Sequence, residues 1–373
     1  MADKTVTIIG GGLAGLISSI HLAREGIRCR LIEKHSYPFH RVCGEYVSNE
    51  VVPYLTSLEV YPAHLAPAHI SRFQLTSTNG QSAVLPLGLG GFGISRYKFD
   101  HFLFQQATRL GVNVILEHEV TDVTFKEDHF TISTDKEAWD ADIVIGTHGK
   151  RSRLDMNLNR SFIQQRSPYV GVKYHIRLKD FPENLIALHN FKNGYCGISR
   201  VEGDTINLCY LTHRDNLRFH GSIRSMEQTV LKRNPFIKEI FERAEFLFDK
   251  PETINEISFE TKSPVEHHIL MAGDAAGMIT PLCGNGMAMA IHAAKLVSEH
   301  VTRFCKNNSY VRDQLESDYQ KAWTALFSRR LWTGRQIQRL FGGEWSSNVA
   351  VNLASRARPL ANFLVSKTHG KEF

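Results

Sequence analysis

Thr5-Val6-Thr7-Ile8-Ile9-Gly10-Gly11-Gly12-Leu13-Ala14-Gly15-Leu16 is the stretch that decides the fold. A short β-branched run ends in G-x-G-x-x-G and passes straight into a helical pattern, with Leu13, Leu16, Ile17 and Ile20 on one face. Gly26 stops that helix, and residues 27–33 read as a second strand closed by Glu33. The pattern is that of a βαβ unit binding a dinucleotide that contains adenosine. Gly10 permits the tight turn, Gly12 lets the backbone approach a pyrophosphate, and Gly15 lets the helix lie close on the sheet. The helix start at Leu13 and Ala14 offers unpaired N–H groups and a partial positive charge to the phosphates. Glu33 is placed to accept from a ribose diol, and Lys34 beside it is counted with the cofactor-binding residues. This motif alone does not choose between FAD and NAD(P).

The chain has 373 residues, enough for two domains and an appendage. Its 42% hydrophobic and 22% charged residues are those of an ordinary globular protein. A net charge of +6 suits an anionic cofactor but, scattered as it is, does not argue for nucleic acid. No apolar run reaches about 18 residues, so no transmembrane helix is expected. The first strand starts almost at residue 1, which leaves no room for a signal peptide. The six cysteines show no C-x-x-C and no zinc spacing. They read as free thiols in a reducing, cytoplasmic setting, and no metal is expected.

A second cofactor motif is His268-Ile269-Leu270-Met271-Ala272-Gly273-Asp274-Ala275-Ala276-Gly277, continued by Pro281-Leu282-Cys283-Gly284-Asn285-Gly286-Met287 and an alanine-rich helix to about Phe304. Asp274 at a strand end can hydrogen-bond a polyol. Gly284 and Gly286 at a helix start expose backbone N–H groups. The two motifs together resemble the flavoprotein family that includes para-hydroxybenzoate hydroxylase and geranylgeranyl reductase. That resemblance implies FAD, with NAD(P)H as electron donor. It implies that Gly273, Asp274 and Gly277 contact the ribityl chain and pyrophosphate. Pro281, Gly284, Asn285, Gly286 and Met287 would lie near the flavin pyrimidine edge, where Gly284, Asn285 and Gly286 stabilise negative charge on the reduced ring.

Weaker matches fall between. Arg96, in Ser95-Arg96-Tyr97-Lys98-Phe99-Asp100, stands where the family has an arginine that approaches FAD; the plain alternative is a solvated helix-start arginine. Residues 143–152 resemble the family's second dinucleotide motif, but His148 replaces the expected aspartate. In His40-Arg41-Val42-Cys43-Gly44-Glu45 the resemblance to the reductase branch puts a cysteine-glycine pair near the isoalloxazine, with Arg41 toward the pyrophosphate. Cys43 is then a candidate catalytic thiol; a small buried hydrophobe is the other reading.

The expected fold is α/β. A Rossmann-type FAD-binding domain (1–70, 95–160 and 255–305) carries an inserted antiparallel-sheet substrate domain (71–94 and 161–254) and a C-terminal helical region (306–373). Strands are expected near 70–87, 112–116, 120–125, 130–134, 169–178, 186–191, 194–201 and 205–211, with helices near 222–232 and 235–243. Basic and apolar residues mix at 327–332 and 349–360, so a peripheral membrane contact through these helices stands beside a solvated basic face. Three functions remain. The first is NAD(P)H-dependent hydroxylation of a hydrophobic, phenolic or polyketide-like small molecule. The second is reduction of a C=C bond in a lipophilic substrate, as in the geranylgeranyl reductases. The third is flavin binding without catalysis. The Cys43-Gly44 pair favours reduction, but the prenyl reductases' Tyr-x-Trp-x-Phe-Pro segment is replaced here by Tyr195-Cys196-Gly197-Ile198-Ser199, which leaves the balance with hydroxylation. The same strand lacks the Trp-x-Trp-x-Ile-Pro of flavin halogenases.

Overall fold

Strand β1 (Val6–Ile9) is buried at all four positions, as the centre of a parallel sheet with both faces covered must be. The computed structural model describes residues 4–338, 343–356 and 370–373. Helix α1 (Leu13–Arg24) carries the chain from β1 to β2 (Cys29–Glu33), which pairs with β1 in parallel. On the other side of β1 lies Ile143–Gly146, also parallel, followed by Ile269–Met271. Asn113–Leu116 extends the sheet beyond β2, and Val265–Glu266 closes the opposite edge as a hairpin. The chain therefore leaves β1 toward one side and returns on the other. At such a switch point the loops beyond the strands' C-terminal ends diverge and leave a crevice. Here those loops start at Gly10, Lys34, Thr147 and Ala272. The long helices Arg96–Arg109 and Gly286–Lys306 pack against α1.

A second, nine-stranded sheet stands over that crevice. Its path runs Glu245–Phe246, Tyr169–Arg177, Ile206–His213, Gly194–Arg200, Leu185–Phe191, Ala68–Thr76, Ser82–Gly93 and Tyr46–Ser48, with Glu252–Asn255 also beside Tyr169–Arg177. The register matters for function. His175 lies opposite Asn207 and Lys173 opposite Cys209. Gly197 is opposite Cys209, Leu188 pairs with Gly197, and Leu75 with Leu188. Side chains alternate across a strand, so these residues share one face. That face is polar on the Tyr169–Arg177 side and apolar on the Ala68–Thr76 side. The other face, with Val172, Tyr174, Ile176, Leu208 and Tyr210, closes a separate core.

The hairpin expected at 120–134 is present and gains a third strand, Ala138–Ala141. Helices Ile223–Thr229 and Pro235–Arg243 lie where expected, and a further helix, Arg214–His220, precedes them. The C-terminal region is helical over Arg312–Gln338 and Glu344–Arg356; the expected stretch at 357–360 lies outside the described residues. In the 327–332 stretch Phe327 and Leu331 are buried, and Trp332 is exposed. No helix among the described residues is long and apolar enough to cross a membrane.

Candidate active site

A cavity of about 1070 Å³ fills the crevice between the two sheets. Drug-sized ligands occupy roughly 300–1,000 Å³, so this one has room for more than a single small molecule. Its walls join the loops at the end of the parallel sheet to the apolar half of the nine-stranded sheet.

At one end the glycines of the first motif have separate reasons to be glycine. Gly10 has φ +100°, and a Cβ there would sit 2.7 Å from the Thr147 carbonyl. A Cβ at Gly15 would collide with the Gly10 carbonyl, so α1 could not lie on the strand. A Cβ at Gly12 would meet nothing nearer than Arg96 Nη2, at 3.8 Å. The space beside Gly12 belongs to the cavity. Gly12 is also the N-cap of α1 and no side chain caps the helix, so its first N–H groups are left for a ligand. Leu13 and Ala14 line the cavity beside it.

Glu33 is 4% exposed and ends β2 in the same wall. Its carboxylate accepts from Gly11 N at 2.7 Å, His35 N at 3.1 Å and Arg41 Nη2 at 3.2 Å. A carboxylate offers about four acceptor positions, so one remains for a ribose hydroxyl. Arg41 also lies 3.3 Å from Asp100. Arg96 starts its helix after a Ser95 cap and grips Asp100 with Nε at 2.6 Å and Nη2 at 2.7 Å. Burial alone would lower the Arg96 pKa, but Asp100 holds it above the usual value. Arg96 lines the cavity, so the solvated reading does not describe it. Lys34 lines the rim and stands 3.5 Å from Glu119.

The second motif reaches the cavity through Gly273, Asp274, Pro281, Gly284, Gly286 and Met287. Burial pushes the Asp274 carboxyl up, against the opposing charges of Lys262, Arg96 and Lys150. Two residues expected here face elsewhere. Gly277 is outside the cavity wall, and a Cβ on it would stand 2.9 Å from Leu331 and 3.1 Å from Trp323. The helix packed over it requires that glycine. Asn285 is buried at the start of Gly286–Lys306, with Nδ2 3.4 Å from Glu50 Oε1. Its side chain is turned toward the Glu50–Arg330 pair, and the turn meets the cavity through Gly284 and Gly286.

Cys43 lies in the cavity wall, half-buried. Burial pushes its thiol up, outweighing the pull of Arg96 and Lys173, so Sγ keeps its proton at neutral pH. His148 also lines the wall, and a carboxylate stands beside it after all: Asp155, 3.0 Å from Nε2. Burial would raise the Asp155 pKa, but His148 and Arg160 hold it well below the carboxylate range.

Sequence reasoning missed the group beneath Cys43. Glu45 is wholly buried at φ +53°. Its carboxylate accepts from Lys173 Nζ at 2.5 Å, His175 Nε2 at 2.7 Å and Arg96 N at 2.8 Å. His40 lies edge-on to His175, ring centroids 5.1 Å apart. Burial, Lys173 and His175 push His40 down to about 4. In sequence, Gly171, Lys173 and His175 alternate with Val170, Val172, Tyr174 and Ile176, which marks them as a solvent face. The cofactor-side loop covers that face, and no local pattern announces it.

The far lobe is apolar. Phe73, Leu75, Leu85, Leu188, Tyr195 and Leu211 form its floor, Ile257, Met278 and Leu282 its side, and Val349, Ala350 and Leu353 of Glu344–Arg356 its cover. None of these twelve side chains carries a charge.

Residues 3–306 match the family described as FAD binding domain. The chain is 24% identical over 369 residues to conditioned medium factor receptor 1 of Dictyostelium discoideum, covering 86% of this chain and 68% of that protein. It is 22% identical over 338 residues to digeranylgeranylglycerophospholipid reductase of Methanococcus vannielii, covering 85% and 81%. It is 23% identical over 380 residues to 3-hydroxybenzoate 6-hydroxylase of Klebsiella oxytoca, covering 95% and 93%. Among solved structures, CmlS, a flavin-dependent halogenase, superposes with a TM-score of 0.79 at 19% identity, over 100% of this chain and 74% of that one; this likeness is one of fold. With the fingerprint at Gly10 to Gly15, the cavity beside Gly12 and that match over most of its length, the chain belongs to the FAD binding domain family.

Proposed function

We propose that this FAD-dependent oxidoreductase takes electrons from NAD(P)H and hydroxylates a compact hydrophobic molecule, phenolic or polyketide-like. The observation that carries this reading is the uncharged lobe opening directly onto the cofactor end of one cavity. FAD, when bound, supplies the two-electron chemistry that links the nicotinamide to dioxygen. The chain's own residues do the rest. Gly12, Leu13 and Ala14 cradle the pyrophosphate at the α1 N-terminus. Glu33 accepts from the adenosine ribose, and Arg41 and Arg96 supply positive charge along the same wall. Asp274 holds the ribityl hydroxyls, and the Gly284 and Gly286 backbone stabilises negative charge at the ring edge. Leu75, Leu188, Tyr195 and Leu211 orient the substrate and exclude water.

The size of the cavity supports a ring-sized substrate. A space of about 1070 Å³ has room for a dinucleotide with a ring-sized molecule beside it. C=C reduction is the second reading, favoured by the protonated Cys43 Sγ in the cavity wall, which would serve as proton donor. The deciding experiment reduces the purified protein anaerobically with NADH or NADPH and then adds candidate lipophilic phenols and alkenes, with and without dioxygen. Dioxygen-dependent gain of one oxygen atom in the product supports hydroxylation. Saturation of an alkene without oxygen uptake overturns it in favour of reduction, and no reduction by either nicotinamide removes NAD(P)H from the proposal.

A further inference from the structure

We infer that Glu45, Lys173 and His175 form an ionic latch that positions residues 41–45 of the cofactor-side loop against the nine-stranded sheet. The inference rests on the reading that the cavity holds FAD only in what the latch is for: it fixes Arg41 and Cys43 in the wall the cofactor meets.

The geometry is specific. Lys173 and His175 project from the same face of one strand, and Asn207 projects from the neighbouring strand directly opposite His175. All three reach the loop. Lys173 Nζ donates to Glu45 Oε1 and to the Arg41 carbonyl at 3.1 Å. His175 Nε2 meets Glu45 Oε2, and Asn207 Nδ2 donates to the Cys43 carbonyl at 3.1 Å. On the other side Glu45 accepts from Arg96 N, at the start of the helix whose arginine lines the cavity. One carboxylate thus ties the substrate sheet to the cofactor helix, and the loop runs between them. A surface ion pair would do little, but this pair is wholly buried. Removing one partner would strand the other charge without solvent, a strongly unfavourable state. Glu45 also holds a left-handed backbone conformation that a non-glycine residue keeps only when its surroundings impose it. The latch residues act through the loop, so they are positioning residues.

The test compares thiol labelling at two cysteines. Cys43 sits on the latched loop, whereas Cys196 is wholly buried in the sheet itself. Wild type, Glu45→Gln, Lys173→Met, the double variant and the milder His175→Gln are exposed to a small maleimide, with and without FAD. Labelling is read by peptide mass, and FAD affinity by titration. The latch predicts at least tenfold faster labelling of Cys43 in Lys173→Met with Cys196 unchanged, weaker FAD binding, and a shifted visible spectrum of the bound cofactor. It predicts a smaller effect in the double variant than the two single effects combined. Unchanged Cys43 labelling, or Cys43 and Cys196 rising together in every variant, His175→Gln included, overturns it. If wild type takes up no FAD the functional reading fails, and the labelling of the apo chain still decides the latch.

Discussion

Lys173 Nζ lies 2.5 Å from Glu45 Oε1, joining residues 128 positions apart with neither side chain exposed to solvent. The pair sits where the two halves of the molecule meet, directly beneath the Cys43 stretch of the cavity wall. Its first consequence is a dependence of stability on pH.

Burial alone would raise the Glu45 pKa, but Lys173 and His175 hold it below the ordinary value. Cys43, Cys209 and His40 also feel its charge, and Arg96 N donates to it. A carboxylate depressed in the folded state contributes stability that is present above its unfolded pKa, about 4.3 for glutamate, and that is lost as pH falls through the folded value. Melting temperatures of wild type and Glu45→Gln measured from pH 7 to pH 3 should therefore converge on the acid side. A constant gap across that range would show that the Glu45 charge contributes nothing.

Glu33 should have two roles that separate experimentally. Removing a charge-assisted acceptor weakens binding by about 1.5–3 kcal/mol, so Glu33→Ala should lose FAD affinity by that much. It should also lower the melting temperature of the apo chain, because Gly11 N and Arg41 lose their partner. Glu33→Gln should lose less of both. Full FAD affinity in Glu33→Ala, measured by titration, would leave the acid as a strand-end bracket only.

Arg160 is a buried structural arginine that the sequence did not single out. It contacts Asp155 at 2.8 Å, Glu266 at 2.6 Å and the Ala275 carbonyl at 3.0 Å, so it braces the turn that carries Asp274. Arg160→Met would remove one charged partner from Asp155, whose oxygens are wholly buried and which keeps His148 and Ser152, at a cost of about 1.5–3 kcal/mol. Urea unfolding of the apo chain checks this, and a loss below about 1 kcal/mol would contradict it.

The Cys43 thiol should be unreactive at neutral pH. Its pKa is pushed up by burial, and the thiolate is the nucleophile. Alkylation of the folded protein by iodoacetamide should stay slow at pH 7 and rise only on the alkaline side. Cys43→Ala should keep FAD, since the open N-terminus of α1 at Gly12 and the Glu33 contacts do not involve the thiol. Fast alkylation at pH 7 would return Cys43 to the class of activated nucleophiles.

The cofactor half of the fold was legible because its chemistry is local. A strand, a glycine turn, a helix start and an acid fall within residues 5–33, and the Gly273–Ala275 turn follows its own strand. What was not legible depends on distant packing. Gly277 belongs to a cofactor motif in sequence, but its missing side chain serves Trp323 and Leu331. The helix Arg214–His220 is polar nearly all round, so it shows no apolar period. Ala138–Ala141 is short and poor in β-branched residues, and is set by its neighbour His129–Thr134. Lys173, His175 and Asn207 look like solvent-facing alternates until the sheet's second face is known to be covered.

The central claim is that the cavity beside Gly12 is the seat of FAD, and Gly12→Val tests it most directly. Gly12 has an ordinary extended backbone, φ −81° and ψ −174°, and a Cβ there touches no protein atom closely, so the variant should fold with the apo melting temperature of wild type. Titration with FAD, followed by flavin absorbance and fluorescence, should then give one FAD per wild-type chain and none per Gly12→Val chain. Equal FAD affinity in the two folded proteins, or no uptake by wild type, would contradict the account.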